Sequence, residues 1–426
     1  MKNKILLQTF IFLSTAFLLW SCYTNPRSSI TRQNVAPQYY SEEKVLRPKY
    51  VLYNVTDSLT RLYFSINSND LLYKSNSYDV GFTARILLSY VVHPVDFPKM
   101  IADSGHVVMS DVGTPGQSKL LAASTDMDIL LPGKYYLEVT FRDLNKMSIS
   151  YELLYLDHRG KNVRNNFLFT LDSSETPLFN NYVELNERFR IHYNNPLVAK
   201  FFVRYYKNKT GPAPPPFSLE KYNPTFSPDS SWWMNIAPDH SISFKNEGWY
   251  TFNTDTISKD GAMIARLHEA YPKIIIQRQL LYPLRYLTMR EEYYAMDTAK
   301  NTKKAVDQFW LDCSGSQERA REVIRYFYNR VEAANKLFAT EKEGWKTDRG
   351  MIYLIFGPPA NVYRNVDSES WIYGSGVGAG GLTFNFTHKE NAFTDQEFVL
   401  EHNPEYKVNW MTAVDSWRQG HIYTFN

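Results

Sequence analysis

The sequence predicts a multidomain, β-rich chain: two immunoglobulin-like β-sandwiches, then helices and a C-terminal α+β domain. Three observations predict it. Aromatic residues make up 15% of 426 residues, with 31 Tyr and 26 Phe, a composition that suits pleated sheet faces. Short apolar runs separated by turn residues fill the first two-thirds of the chain. Near residue 277 the apolar period changes from strand-like to helix-like. At ~100–200 residues per domain, this length accommodates two to four domains.

Residues 1–21 read as a secretory signal peptide. Lys2 and Lys4 precede an apolar run, Ile5 to Trp20, that is shorter than the ~20 residues of a spanning helix. The run ends Leu19-Trp20-Ser21-Cys22, which resembles a bacterial lipobox. That resemblance implies cleavage before Cys22 and acylation of its thiol and amino terminus, enough chains for stable anchoring. Residues 22–46, polar with scattered Pro, are then a tether to the first domain. The stretch after Cys22 carries Arg27 and Arg32 and no acidic run. This favours the periplasmic face of the outer membrane over the cell surface. Only Cys313 remains besides Cys22, so no intrachain disulfide is expected. Cys313 has no His near it in sequence and reads as a spectator thiol.

Residues 47–162 form the first expected sandwich. "VLYNV", "RLYFSI", "ARILLSYVV", "HVVMS" and "KYYLEVTFRD" are strand-like. A Pro-Gly turn puts Tyr135, Leu137, Val139 and Phe141 on one face at period two. Residues 163–276 form the second, from "NFLFTL", "RFRIHYN", "AKFFVRYY", "SISF" and "WYTFNT". The segment "GPAPPPFS" at 211–218 cannot join a ladder, because proline donates no hydrogen bond. It reads as a surface loop, with polyproline docking as the alternative.

Residues 277–426 hold a helical connector and the α+β domain. In "SQERAREVIRYFYNRVEAANKLF", Ala320, Val323, Ile324, Phe327, Val331, Ala334 and Phe338 share one helical stripe. "NTKKAVDQFWLDC" predicts a second helix beside it. "MIYLIF", "SWIYG", "LTFNFTH" and "EFVLEH" read as strands, and the last residues as one short helix. Met351–Phe356, unbroken apolar, is expected to be a strand buried on both faces, stopped by Gly357-Pro358-Pro359. Gly350 would supply a positive φ before it. Thr347 and Asp348 would bond nearby backbone N–H groups, and Arg349 would clamp a carboxylate in bidentate fashion.

The string Gly344-Trp345-Lys346-Thr347-Asp348-Arg349-Gly350, followed by "IYLIFGPP", resembles the GWxTD domain of bacterial envelope proteins, named for that string. Phe309-Trp310, "YFYNRVEAANKLF", and Trp371-Ile372-Tyr373 extend the resemblance over roughly residues 300–400. It implies an envelope setting such as that of the Bacteroidetes, often with a lipid anchor, and it implies no reaction and no ligand. "GPPANVY…ESWIYG" also resembles the Gly-x-Pro…Trp-x-Tyr hairpin of the small adapter lipoprotein in the outer-membrane β-barrel assembly machine. Ser58, Thr256 and Thr298 sit in Asp-Ser/Thr-apolar triplets similar to the O-glycosylation site of Bacteroidetes-type envelopes.

Charge is nearly balanced, 47 basic against 44 acidic, so nothing points to nucleic acid. The nine His are scattered and no zinc spacing occurs, so no metal or cofactor is expected. Gly376, Gly378 and Gly381 fit a dinucleotide fingerprint, but a strand follows where a helix is needed, and the segment reads as a hairpin loop. The function expected is a non-catalytic, outer-membrane-anchored scaffold or adapter among other envelope proteins, in secretion or outer-membrane assembly. One alternative is a cell-wall or glycan hydrolase, with Asp348 as acid or base and Arg349 as anion clamp. The other is a glycan-binding module using Trp232, Trp233 or Trp249.

Overall fold

A computed structural model describes residues 33–425 apart from 41–44, 76–80, 115, 175, 208–209, 221–226, 237–239 and 375–380. The signal peptide, Cys22, Gly376 and Gly378 lie outside the described residues.

The first strand set comprises β1 (Lys49–Asn54), β2 (Leu59–Asn67), β3 (Lys74–Ser75), β4 (Phe82–Pro94), β5 (Asp103–Gly113), β6 (Leu120–Asp128), β7 (Lys134–Asp143) and β8 (Ser148–Asp157). A β1-β2-β6 sheet faces a β3-β4-β7-β8 sheet that carries β5 beside β4. Period-two alternation sends Leu62, Phe64 and Ile66 of β2 inward against Leu88 and Val92 of β4. Tyr135, Leu137, Val139 and Phe141 of β7 complete that core, as their spacing requires.

The second set comprises β9 (Phe167–Leu171), β10 (Tyr182–Val183), β11 (Phe189–Tyr193), β12 (Lys200–Tyr206), β13 (Ser230–Asn235), β14 (Gly248–Asn253) and β15 (Ala262–Arg266). Its large sheet runs β10-β15-β14-β12-β13, with β11-β9 as the smaller partner. The expected "SISF" strand is only an isolated bridge at Ile242. Every residue of β14 and β15 is buried, because both faces of these strands are covered. One face meets Phe189, Phe201 and Val203; the other joins Leu267 and Tyr271, whose hydroxyl donates to the Asn335 carbonyl at 2.9 Å.

The remaining chain holds α1 (Arg290–Asp297), α2 (Thr302–Ser314), α3 (Gln317–Phe338), α4 (Asp348–Phe356) and α5 (Tyr406–Arg418). An antiparallel sheet, β16 (Asn361–Arg364), β17 (Ser368–Tyr373), β18 (Leu382–His388) and β19 (Phe398–Leu400), pairs in that order. The helices are not a separate connector. Trp310, Phe327, Phe338, Trp371, Phe384 and Trp417 belong to one aromatic core shared by helices and sheet. Fully burying each such ring contributes roughly 1.5–3 kcal/mol.

Two expectations fail here for identifiable reasons. Met351–Phe356 is helical, not a strand: it forms most of α4, buried on all sides. Thr347 caps its start and Gly357, at φ 82°, ends it. A six-residue apolar run carries no periodicity with which to separate a buried strand from a buried helix. Second, the tether is not free along its length. Val35, Ala36 and Tyr39 are buried in the C-terminal core, and Val35 N–H donates to the Val362 carbonyl at 3.0 Å. Among the described residues no helix is long and apolar enough to cross a membrane.

Candidate functional site

The Gly344–Gly350 turn is built by close backbone approach. A Cβ on Gly344 would lie 1.9 Å from the Ala334 carbonyl oxygen of α3, and one on Gly350 would lie 1.8 Å from the Gly344 carbonyl oxygen. Both glycines are therefore required by contact. Gly350 is not among the residues of positive φ, contrary to expectation. Trp345 is buried; its backbone N–H donates to Asn335 Oδ1 at 3.3 Å and its indole N–H to Glu343 at 2.6 Å. Tyr286 meets it edge-on at 6.1 Å. Thr347 Oγ1 donates to the Gly344 carbonyl at 2.8 Å and accepts from Gly350 N–H at 3.0 Å, so one hydroxyl closes the turn and caps α4.

Arg349, nearly inaccessible to solvent, enters a buried charge network. Its Nη1 lies 3.3 Å from Glu369 Oε2, its Nη2 donates to the Gln396 carbonyl at 2.7 Å, and its guanidinium sits 4.3 Å from the Phe398 ring centroid. It does contact a carboxylate, but not in bidentate fashion. Glu369 is wholly buried and also accepts from Tyr39 at 2.5 Å, Trp371 Nε1 at 2.6 Å and Arg364 Nε at 3.0 Å. Arg364 reaches on to Glu152 of β8 at 2.5 Å. Burial opposes ionisation of Glu369, yet Arg364 and then Arg349, with the two donors, hold its pKa at about 2. Two cations and two carboxylates balance, and they join the N-terminal segment, the first sandwich, α4 and the β16-β17 hairpin.

Asp348, one residue earlier, faces a different cluster. Its Oδ2 accepts from Leu400 N–H at 3.2 Å; its Oδ1 has no hydrogen-bond partner among the described residues and lies 3.6 Å from His402 Nε2. Burial disfavours the His402 cation, but Asp348 and the Pro215 and Pro216 carbonyls outweigh burial and raise its pKa. Nearby, Lys342 Nζ lies 3.8 Å from both Glu341 and Glu397. Burial, then the charges of Glu341 and Asp348, push Glu397 up to about 7.

The proline loop docks against the His402 side of this second cluster. It is not a free surface loop, because it docks within its own chain. Ala213 N–H donates to the Lys346 carbonyl at 2.8 Å, Asn403 N–H to the Pro216 carbonyl at 3.1 Å, and His402 Nδ1 lies 3.2 Å from the Pro215 carbonyl.

The other motif residues are structural. Trp310 and Trp371 are fully buried, and Phe309 is partly buried against the same core. The Tyr373 hydroxyl donates to the Gly357 carbonyl at 2.8 Å, and Pro359 offers its carbonyl to Tyr40 at 3.2 Å; Pro358 lies between them, half-buried. Trp232 and Trp233 are 37% and 42% exposed, but successive strand residues point to opposite faces, so they form no single stacking platform. Trp249 is buried, contrary to the exposed position a glycan site would need. Ser58, Thr256 and Thr298 are exposed. Burial pushes the Cys313 thiol up to about 11, so it stays protonated at neutral pH. No cluster of His, Cys, Asp and Glu able to hold a metal occurs among the described residues.

Sequence reasoning missed Glu369, Arg364, Glu152, Tyr39 and His402. A signal existed for one of them. In "SESWIY", Glu369, Trp371 and Tyr373 share an inward face, and a carboxylate in that register demands a buried partner.

Residues 248–419 match the family model of the GWxTD domain, starting at β14, the strand whose second face is covered by Leu267 and Tyr271. A search of curated proteins gives no match. Among solved structures, a Bacteroides uniformis β-glucuronidase aligns at 12% identity and a TM-score of 0.18, covering 31% of this chain and 14% of that one. This chain thus spans about one-seventh of that relative's length. An Archaeoglobus fulgidus protein aligns at 14% identity and a TM-score of 0.18, covering 28% of this chain and 99% of that one. At these scores neither likeness informs function.

Proposed function

We propose that this chain, which is a GWxTD domain-containing protein, is a non-catalytic lipoprotein scaffold or adapter in an envelope complex for secretion or outer-membrane assembly. The observation that supports this reading is where the motif's side chains go. Trp345, Thr347 and Arg349 serve internal contacts, and the Arg349–Glu369–Arg364–Glu152 network joins separate parts of the chain into one body. Rigid bodies of this kind hold loops at fixed spacing for partners.

Anchoring through Cys22 gives the arrangement a direction. Ten residues lie between Cys22 and Gln33, eleven steps along the chain. At ~3.3–3.6 Å per residue they span at most ~40 Å. Because Val35 and Tyr39 seat in the C-terminal core, the GWxTD domain stands nearest the membrane and not the first sandwich. The periplasmic face of the outer membrane is the location proposed.

Purification of the tagged protein from native membranes in mild detergent tests the adapter reading. Stoichiometric envelope partners are expected, and a monodisperse lone monomer contradicts it. Cys22→Ala should move the protein from the membrane to the soluble fraction.

One observation favours a second reading, a hydrolase acting on cell-wall or other glycan. Asp348 lies 3.6 Å from His402, whose pKa is raised, beside Glu397, which burial pushes up to about 7, so one cluster gathers groups of the kind used in acid–base work. An Asp348→Asn variant that keeps its melting temperature yet loses a measurable turnover would establish that reading. A variant that only melts earlier removes it.

A further inference from the structure

The docked proline loop leaves a cavity of about 340 Å³, walled by Pro212–Pro215, Glu220, Arg285 and Tyr286. That is within the roughly 300–1,000 Å³ of small-ligand sites. The wall is held in place before any ligand arrives. Ala213, Pro215 and Pro216 are each tied to the GWxTD motif or to the His402–Asn403 segment by hydrogen bonds. A prearranged wall spares a ligand the cost of ordering it.

The lining chemistry is specific. Proline carbons and the Tyr286 ring supply apolar surface. Pro212, Pro214 and Pro215 have no backbone N–H to donate. Arg285 and Glu220 are both exposed at this cavity, and neither forms an ion pair with the other or with another side chain among the described residues. The Arg285 guanidinium lies 5.7 Å from the Tyr293 ring centroid, with its donors available. Tyr286 is 7% exposed, so only part of its ring edge meets the cavity. One cavity thus presents a cation, an anion and apolar walls.

We infer that this cavity binds a small zwitterionic peptide, a free dipeptide whose C-terminal side chain is apolar. The carboxylate pairs with Arg285, the ammonium with Glu220, and the apolar side chain lies against the prolines and the Tyr286 ring. Arg285 and Glu220 lie beyond ion-pair range of each other in one cavity, and a dipeptide, ~7 Å when extended, carries its two charges at opposite ends. A ligand with only one charge leaves the opposite group unpaired in a partly enclosed site, which is the basis of selection. This inference does not depend on the adapter reading, since it concerns a face that a scaffold or an enzyme could equally carry.

Isothermal titration of the full, detergent-solubilised protein with glycyl-phenylalanine tests it. Saturable binding at about 0.1–1 mM is expected for a ligand of this size. Glycyl-phenylalanine amide and the Arg285→Ala variant should each weaken binding by about ten-fold or more. N-acetyl-glycyl-phenylalanine and Glu220→Gln should do the same, since loss of either partner of a charge-assisted hydrogen bond has a comparable effect. Arg285 and Glu220 are exposed, so an unchanged melting temperature confirms that these variants fold. Absence of saturable heat at 10 mM dipeptide, or unchanged affinity in Arg285→Ala, overturns the assignment.

Discussion

Asp348 and Arg349 are adjacent in the first turn of α4, yet they enter opposite electrostatic settings. Arg349 meets a network in which each group is paired and Glu369 accepts four side-chain donors. Asp348 meets a cluster with unmatched acceptors, where Oδ1 of Asp348 and Oε2 of Glu397 have no hydrogen-bond partner among the described residues. Helix geometry explains the divergence, since neighbours at 3.6 residues per turn point about 100° apart. One motif can thus hold the fold with one residue and set the next beside His402 and Glu397.

The sharpest test removes one partner from the satisfied network. Glu369→Gln leaves Arg349 and Arg364 buried without their shared carboxylate. Breaking a buried pair in this way costs about 3–5 kcal/mol. Denaturant unfolding should show that loss, and a loss under 1 kcal/mol would mean the network does not join the domains.

The pH dependence of stability separates the two settings by sign. Glu369 is held at about 2, below its ordinary value of 4.5. Its contribution is present above pH 4.5 and lost as pH falls toward 2. Glu397 is raised from 4.5 to about 7, so its contribution is present below pH 4.5 and lost as pH rises through 7. Glu397→Gln should therefore stabilise the protein at pH 8, on the order of 1–3 kcal/mol, and change little at pH 4. Thermal melts across pH 4–8 give this directly, and an unchanged melting temperature at pH 8 would mean that Glu397 is solvated.

Gly350→Ala probes the contact that both settings share. The new Cβ meets a backbone oxygen, which cannot rotate away as a side chain can. Overpacking of this kind costs about 1–3 kcal/mol, sometimes more. A melting temperature equal to that of the parent would show that the turn relaxes freely.

Asp348→Asn should have the smallest effect, about 1 kcal/mol, because the contact with His402 is long at 3.6 Å and the amide oxygen can still accept from Leu400 N–H. His402 NMR titration in that variant should show its pKa falling toward the ordinary value, since the raising charge is gone. A pKa that stays raised would assign the effect to the proline-loop carbonyls instead.

Much of the fold is legible from periodicity alone. The β7 alternation and the α3 stripe each name their buried faces, because a strand or amphipathic helix repeats one face at a fixed interval. The bond from Gly350 N–H to the Thr347 hydroxyl is legible as a turn contact three residues away, but the helix it caps is not. The site is less so. Glu369 and Tyr39 are 330 positions apart in sequence, and Arg364 and Glu152 are 212 apart. Nothing local in either partner specifies the other.

The sequence alone therefore determines which segments alternate, which carry a helical stripe, and which short string marks the domain. Each of these rests on interactions within a few residues. Tertiary structure decided that Met351–Phe356 is a helix, that the N-terminal segment seats in the C-terminal core, and that the proline loop docks on Lys346, His402 and Asn403. An apolar run buried on all sides has no exposed face to reveal its period, and a docked segment takes its partner from distant chain. Burial supplied by the rest of the molecule settled what local propensity left open.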